Sequence, residues 1–252
     1  MKIGCRPRPG RQAARKGEHA LRPIGFERDY VCHPAGSCLV SFGKTKVICT
    51  ASLEQGVPGF RRDTGKGWLT AEYAMLPGST GGGRKRRELT HRDGRSVEIQ
   101  RLIGRSLRAA LDFKRMGEVT LTIDCDVLQA DGGTRTAAIS GGWVALYDAL
   151  RVLATRHGDG AAPEDYLLGQ VAAVSVGLLN GKVITDLDYG ADSNAAVDMN
   201  VVMRDDEFVE VQGTGEQGTF GRAALDSLLD AAAAGIAQIQ AAQRAALGLP
   251  PG

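Results

Sequence analysis

Two groups of residues in this chain have the types and spacing that chemistry on phosphate requires. The first is Gly132, Gly133, Thr134 and Arg135, within the run LTIDCDVLQADGGTRTAAISGG at residues 121–142. Before it, Val119, Leu121, Ile123, Cys125 and Val127 alternate with Thr120, Thr122, Asp124 and Asp126, which predicts a strand with one core face and one charged face. After it, Ile139, Trp143, Leu146 and Leu150 recur at helical spacing. The turn between them offers backbone N–H groups, a hydroxyl and a guanidinium at a helix N-terminus, a seat for an anion such as phosphate. A plain strand-to-helix connection is the alternative. Arg95, standing just before a second expected helix, weighs against it, because two guanidiniums converging on one inorganic phosphate suit its geometry.

The second group is Asp186, Asp188, Asp192 and Asp198 in DLDYGADSNAAVDMN. Acids in a turn often do no more than meet water. The competing reading is a pair that holds Mg²⁺ through oxygen and gives a proton to a departing hydroxyl. Cations for phosphates and carboxylates for a metal and a leaving group together describe phosphoryl or nucleotidyl transfer. A third pattern, Gly213 to Gly218, matches GxGxxG. It is set aside as a dinucleotide site because only a helix follows, with neither the strand nor the acid that site needs.

Positioning these residues calls for a mixed α/β chain. Strands are expected at residues 30–32, 37–42, 46–52 and 68–75, a helix at 96–113, then the strand and helix of the anion turn, the helix running to about residue 153. A hairpin around Asn180-Gly181 follows, then strands at 199–203 and 208–212, and a final helix at 222–247. Residues 78–95 read as a long exposed Gly- and Arg-rich loop. The 252 residues are 43% hydrophobic and 24% charged, ordinary for a soluble globular protein. No apolar run is long enough to cross a membrane. The aromatic share of 5% argues against holding nucleic acid mainly by stacked bases. Cys5, Cys32, Cys38, Cys49 and Cys125 form no CxxC pair; apart from Cys5, they sit in strand-like surroundings and read as buried thiols of a reducing compartment.

The net charge of +2 hides an uneven distribution. Residues 61–115 carry fourteen Lys or Arg against six Asp or Glu, and the rest of the chain 17 against 23. A basic face of this kind suggests a polyanionic partner. Arg84, Arg86 and Arg87, in the run from Arg84 to Arg87, and the helical stripe Arg101, Arg105 and Arg108 are candidate RNA contacts or solvated surface.

The blocks LRPI, FGKTKVICTASLEQGVP, GKGWLTAEYAMLP, GRSVEIQRLIGRSLRAALD, DCDVLQADGGTRTAAISG, VAAVSVGLLNG, ADSNAAVDMNVVM and EVQGTGE, in this order, resemble the ribonuclease PH family of phosphate-dependent 3′-to-5′ exoribonucleases. The similarity runs from residue 21 to residue 247. It implies an α/β fold of β-α-β-α type, like domain 2 of ribosomal protein S5. It also implies one catalytic domain over residues 21–248 and a homohexamer built as a trimer of dimers. Residues 1–20, basic but without an apolar h-region, read as a flexible leader rather than a signal peptide, and the thiols suggest a cytoplasmic setting. By resemblance, Arg95, Gly133, Thr134 and Arg135 bind inorganic phosphate, the co-substrate. Asp192 and Asp198 are the catalytic aspartates and the ligands of Mg²⁺. The implied substrates are precursor tRNA and other RNA 3′ ends, ribosomal RNA among them. Two segments depart from the family pattern: Arg8-Pro9-Gly10-Arg11 replaces an Arg-x-Asp-Gly-Arg element, and GGGRKRR occupies the loop after residue 78. A non-catalytic RNA-binding ring subunit is the second reading, but such subunits usually lack the arginines or the aspartates present here.

Overall fold

Alternating apolar residues build the first of two sheets. In the computed structural model, which describes residues 20–81, 83–84 and 94–250, it holds β1 (Ile24–Arg28), β2 (Gly36–Phe42), β3 (Thr45–Gln55), β4 (Trp68–Met75) and, after two helices, β5 (Val119–Gln129). The helices are α1 (Gly94–Arg108) and the short α2 (Phe113–Met116), and they let β4 and β5 run parallel. The order is β1-β2-β3-β5-β4, and every other neighbouring pair is antiparallel. A long helix, α3 (Thr134–His157), leaves this sheet for a second one. That sheet holds β6 (Val171–Leu179), β7 (Lys182–Thr185), β8 (Val197–Arg204) and β9 (Glu207–Gly215), in the order β7-β6-β8-β9, with the turn α4 (Tyr189–Asp192) between β7 and β8. The closing helix α5 (Arg222–Leu247) packs on β6 and reaches β1.

The two sheets share one core because α3 touches both. Nearly every residue of α3 from Thr134 to Ala154 is buried, the pattern of a helix enclosed on all sides rather than lying on a surface. Its approach to the first sheet is close: a Cβ on Gly141 would stand 2.5 Å from Val40 Cγ1. The predicted alternation of β5 holds, with Val119, Leu121, Ile123, Cys125 and Val127 all buried.

Several expectations need correction. The strand expected at residues 30–32 lies instead at Ile24–Arg28, where β2 offers a partner for every residue. Asp29 turns the chain with φ 53°, and Tyr30, Val31 and Cys32 are exposed. Cys32 is therefore no buried thiol, whereas Cys38, Cys49 and Cys125 are. The helix expected to reach residue 113 ends at Arg108, and Asp112 caps a separate turn by accepting from the Lys114 and Arg115 amides. Arg95 is in the first turn of α1 rather than ahead of it. The GxGxxG run begins inside β9, antiparallel to β8, and opens no helix. The leader at residues 1–19, Arg86 and Arg87 lie outside the described residues.

One ion pair ties the sheets together near the anion turn. Arg22, ahead of β1, donates from Nε and Nη2 to both oxygens of Asp186 at 2.8 and 2.6 Å, and from Nη1 to the Asp131 carbonyl at 2.5 Å. Both side chains are buried. Removing one member of a buried pair strands a charge, which typically costs about 3–5 kcal/mol, while removing both charges restores much of it. Arg22→Met should therefore lower unfolding stability by about that amount in urea titration, and Arg22→Met with Asp186→Asn should recover much of the loss. Equal stability of the single variant and the unaltered chain would contradict this role.

Candidate active site

The anion turn owes its shape to two glycines. Gly132 and Gly133 have φ of +76° and +64°, the left-handed region that glycine adopts without steric cost. At Gly132 a side chain is excluded twice over, since a Cβ would stand 2.4 Å from the Leu187 carbonyl. The turn thus presses directly on the segment leading into α4. Thr45 Oγ1 fixes it from the first sheet, donating to the Gly132 carbonyl at 2.6 Å and accepting from the Asp131 amide at 2.9 Å.

Gly133 is the N-cap of α3, and no side chain caps that end. A 24-residue helix therefore directs its first amides and the positive end of its dipole outward. Thr134 and Arg135 follow, each held by a residue that sequence reasoning did not single out. The Tyr73 hydroxyl donates to Thr134 Oγ1 at 2.9 Å, which leaves the threonine O–H for an acceptor of its own. Burial raises the Tyr73 pKa, so that hydroxyl keeps its proton. Arg135 donates to Gln212 Oε1 at 3.0 Å and lies 3.7 Å from the Glu98 carboxylate, while Gln212 donates to the same Glu98 oxygen at 3.1 Å. Glu98 on α1 and Gln212 on β9 thereby orient the guanidinium from two sides.

A cleft of about 1330 Å³ opens at this turn. Arg95, Gly133, Thr134 and Arg135 line it, as do Asp192 and Asp198. The sequence-predicted phosphate residues and aspartates thus share one wall system, joined by Tyr73, Ser175, Asn200 and Glu216. The remaining aspartates separate by role: Asp186 is the partner of Arg22, and Asp188 caps α4 by accepting from the Ala191 amide at 2.9 Å. Of the proposed RNA contacts, Arg84 and Arg101 are exposed, and neither lines the cleft. Arg105 is bound to Glu210 through two hydrogen bonds of 2.5 and 2.6 Å. Arg108 lies over the Trp68 ring at 4.9 Å.

Burial raises the pKa of both cleft aspartates. For Asp192 the neighbouring Arg135 and Arg95 work against that rise. For Asp198, burial and then the charge of Asp192 push it up to about 6, against the pull of Arg135. Asp198 Oδ1 is buried with no hydrogen-bond partner, a position that asks for a proton or a cation. Among the described residues no cluster of three or more His, Cys, Asp or Glu is arranged to hold a metal. Two carboxylates are nevertheless enough for Mg²⁺, which keeps several waters and is commonly completed by substrate phosphates. The oxygen donors of Asp192 and Asp198 fit that ion.

An acid that keeps its proton to higher pH when folded than when unfolded destabilises the fold once it ionises. The share of stability carried by Asp198 is therefore present below about pH 4, the ordinary carboxyl range, and lost as pH rises through about 6. In metal-free buffer, Asp198→Asn should raise the melting temperature at about pH 7.5, and the gain should shrink toward zero at about pH 4. A gain of the same size at both pH values would assign the effect to something other than this carboxylate's charge.

Comparison with known proteins places these elements in a group. Residues 20–151 match the 3′ exoribonuclease family, domain 1, and residues 169–235 match domain 2 of the same family. The chain is 56% identical over 236 residues to a ribonuclease PH from Corynebacterium glutamicum, covering 93% of this chain and 95% of that one. To a ribonuclease PH from Acaryochloris marina it is 57% identical over 228 residues, covering 90% and 94%. Among solved structures, rice Rrp46 superposes with a TM-score of 0.73 at 17% identity, covering 92% of this chain and 98% of that one. A chain of the Archaeoglobus fulgidus exosome with RNA bound to the active site also gives 0.73, at 20% identity and 89% of each chain. The last two likenesses concern the fold.

Proposed function

The chain belongs to the 3′ exoribonuclease family, and from that premise we propose how its cleft removes nucleotides from RNA 3′ ends by phosphorolysis. The observation that carries the reading is the meeting of the α3 N-terminus, two arginines and two raised-pKa aspartates in one cleft. Inorganic phosphate is the co-substrate. It sits at the Gly133 and Thr134 amides and the Thr134 hydroxyl, with Arg95 and Arg135 offsetting its charge. A phosphate oxygen attacks the phosphorus of the last phosphodiester. The bond to the 3′ oxygen of the penultimate ribose breaks, and the terminal residue leaves as a nucleoside diphosphate.

The departing 3′ oxygen needs a proton. Asp192, less deeply buried than Asp198, supplies it; burial raises its pKa against the pull of Arg135 and Arg95, which favours the protonated form a general acid needs. Asp192 and Asp198 would also hold Mg²⁺, which when bound neutralises charge on the transferring group. Because the step exchanges a phosphodiester for the phosphoanhydride of the nucleoside diphosphate, it is reversible, and abundant diphosphate drives untemplated addition to the RNA 3′ hydroxyl.

The substrates in this reading are precursor tRNA and other RNA with an unpaired 3′ tail, ribosomal RNA included. Arg84, Arg86, Arg87, Arg101 and Arg105 contribute backbone attraction that weakens with salt. Residues 21–248 act as one catalytic unit, since the cleft is lined from both sheets. A homohexamer, arranged as a trimer of dimers, is supported by the family resemblance and by the fold shared with exosome subunits. No described helix is long and apolar enough to cross a membrane. A cytoplasmic setting is supported by the free thiols Cys38, Cys49 and Cys125.

The test is to incubate RNA bearing a short 3′ tail with and without inorganic phosphate and to identify the products. The expected result is nucleoside diphosphates formed only with phosphate, and a loss of about 10²–10³-fold in kcat/KM for phosphate in Arg135→Ala, the scale of removing one charge-stabilising group. Monophosphates released without phosphate would refute the mechanism, and unaltered kinetics in Arg135→Ala would remove that residue from it.

A further inference from the structure

Tyr189 stands out in the cleft. It lines the same space as Arg135, Asp192 and Asp198, yet 67% of it is exposed. Among the described residues its ring packs on no other ring and its hydroxyl makes no hydrogen bond. The ring thus presents an apolar face and a polar tip to a polar cleft and takes no part in the core.

Its place on the backbone is fixed. Tyr189 begins α4, the turn that Asp188 caps and whose amides at Asp192 and Ser193 donate to the Asp188 and Tyr189 carbonyls at 2.8 and 3.1 Å. Residues three apart on a helical turn are neighbours on one face, so the ring and the Asp192 carboxylate address the same region of the cleft. The cations for phosphate come from α1 and α3, and the carboxylates from α4 and β8. In an in-line displacement the attacking and leaving oxygens lie on opposite sides of phosphorus. The side of Asp192 is then the side of the leaving 3′ oxygen, which belongs to the penultimate nucleotide.

We propose that the Tyr189 ring is a stacking platform for the base of the penultimate nucleotide, the residue whose 3′ oxygen departs. This rests on the phosphorolytic reading above and adds a specificity element to it. Stacking on a ring face accepts all four bases, because each has a π-face, so the platform positions RNA without selecting sequence. It also gives the chain a means of distinguishing nucleic acid from other phosphodiesters by the presence of a base. After each cycle the next base takes the same place.

The experiment uses the full chain at saturating phosphate with two single-stranded oligoribonucleotides, one ordinary and one carrying an abasic ribonucleotide at the penultimate position. Loss of one stacked base is worth about tenfold. The unaltered chain should show a KM about tenfold higher for the abasic RNA, with kcat changed less than about twofold. Tyr189→Ala should raise KM about tenfold on ordinary RNA and show no further penalty on the abasic one, while Tyr189→Phe restores the ordinary KM. An unchanged KM in Tyr189→Ala, or penalties that multiply when the two changes are combined, would overturn the platform. Failure of the unaltered chain to release diphosphates from ordinary RNA would instead refute the phosphorolytic reading itself.

Discussion

The buried pair of Arg22 and Asp186 is the constraint on which the site depends. The guanidinium presents five donors in a rigid plane, and here it reaches the Asp186 carboxylate and the Asp131 carbonyl together. Asp131 leads into the α3 N-terminus on the first sheet, and Asp186 leads into the turn that carries Asp192 on the second. Asp186 holds a left-handed backbone at φ 58°, a conformation that persists only when its surroundings enforce it. The Arg22 fork and the Ser175 carbonyl, which accepts from the Asp186 amide at 2.6 Å, supply that enforcement. Such a pair adds little net stability over an apolar substitute; what it contributes is the relative placement of two half-sites.

Placement matters because the two halves tune one another. Burial and the Asp192 charge hold the Asp198 proton, and Arg135 and Arg95 pull in the other direction. The arginines beside the α3 N-terminus and the two cleft aspartates are therefore electrostatically linked before any ligand arrives. In the proposed reaction a phosphate anion beside Arg95 and Arg135 would offset their charge and favour protonated aspartates, the state a leaving oxygen requires.

Much of this was legible in the residues. The period-2 alternation marked β5, and β4 was expected over the same residues that form it. The helix start at Gly133, Thr134 and Arg135 could be read because a glycine turn from strand to helix is a local device, compressed into adjacent positions. What could not be read was long-range. Spacing alone placed Asp186, Asp188, Asp192 and Asp198 on equal terms; a buried arginine 164 positions away makes the first structural, and a helix cap makes the second so. The supports of the site, Tyr73 under Thr134 and Glu98 with Gln212 beside Arg135, come from three separate elements. The strand mistaken at Tyr30 to Cys32 shows the same limit, because an apolar run becomes a strand only where a neighbour pairs with it, and β2 pairs with residues 24–28.

The proposed reaction is a single displacement, with phosphate held on the α3 side and the leaving 3′ oxygen met by the α4 and β8 carboxylates. Its most direct test is the stereochemical course at phosphorus, followed with RNA whose terminal linkage is a phosphorothioate of one configuration. Direct in-line attack by phosphate predicts a nucleoside thiodiphosphate of inverted configuration. Retention would require two successive displacements through a covalent nucleotidyl intermediate, and would contradict the account.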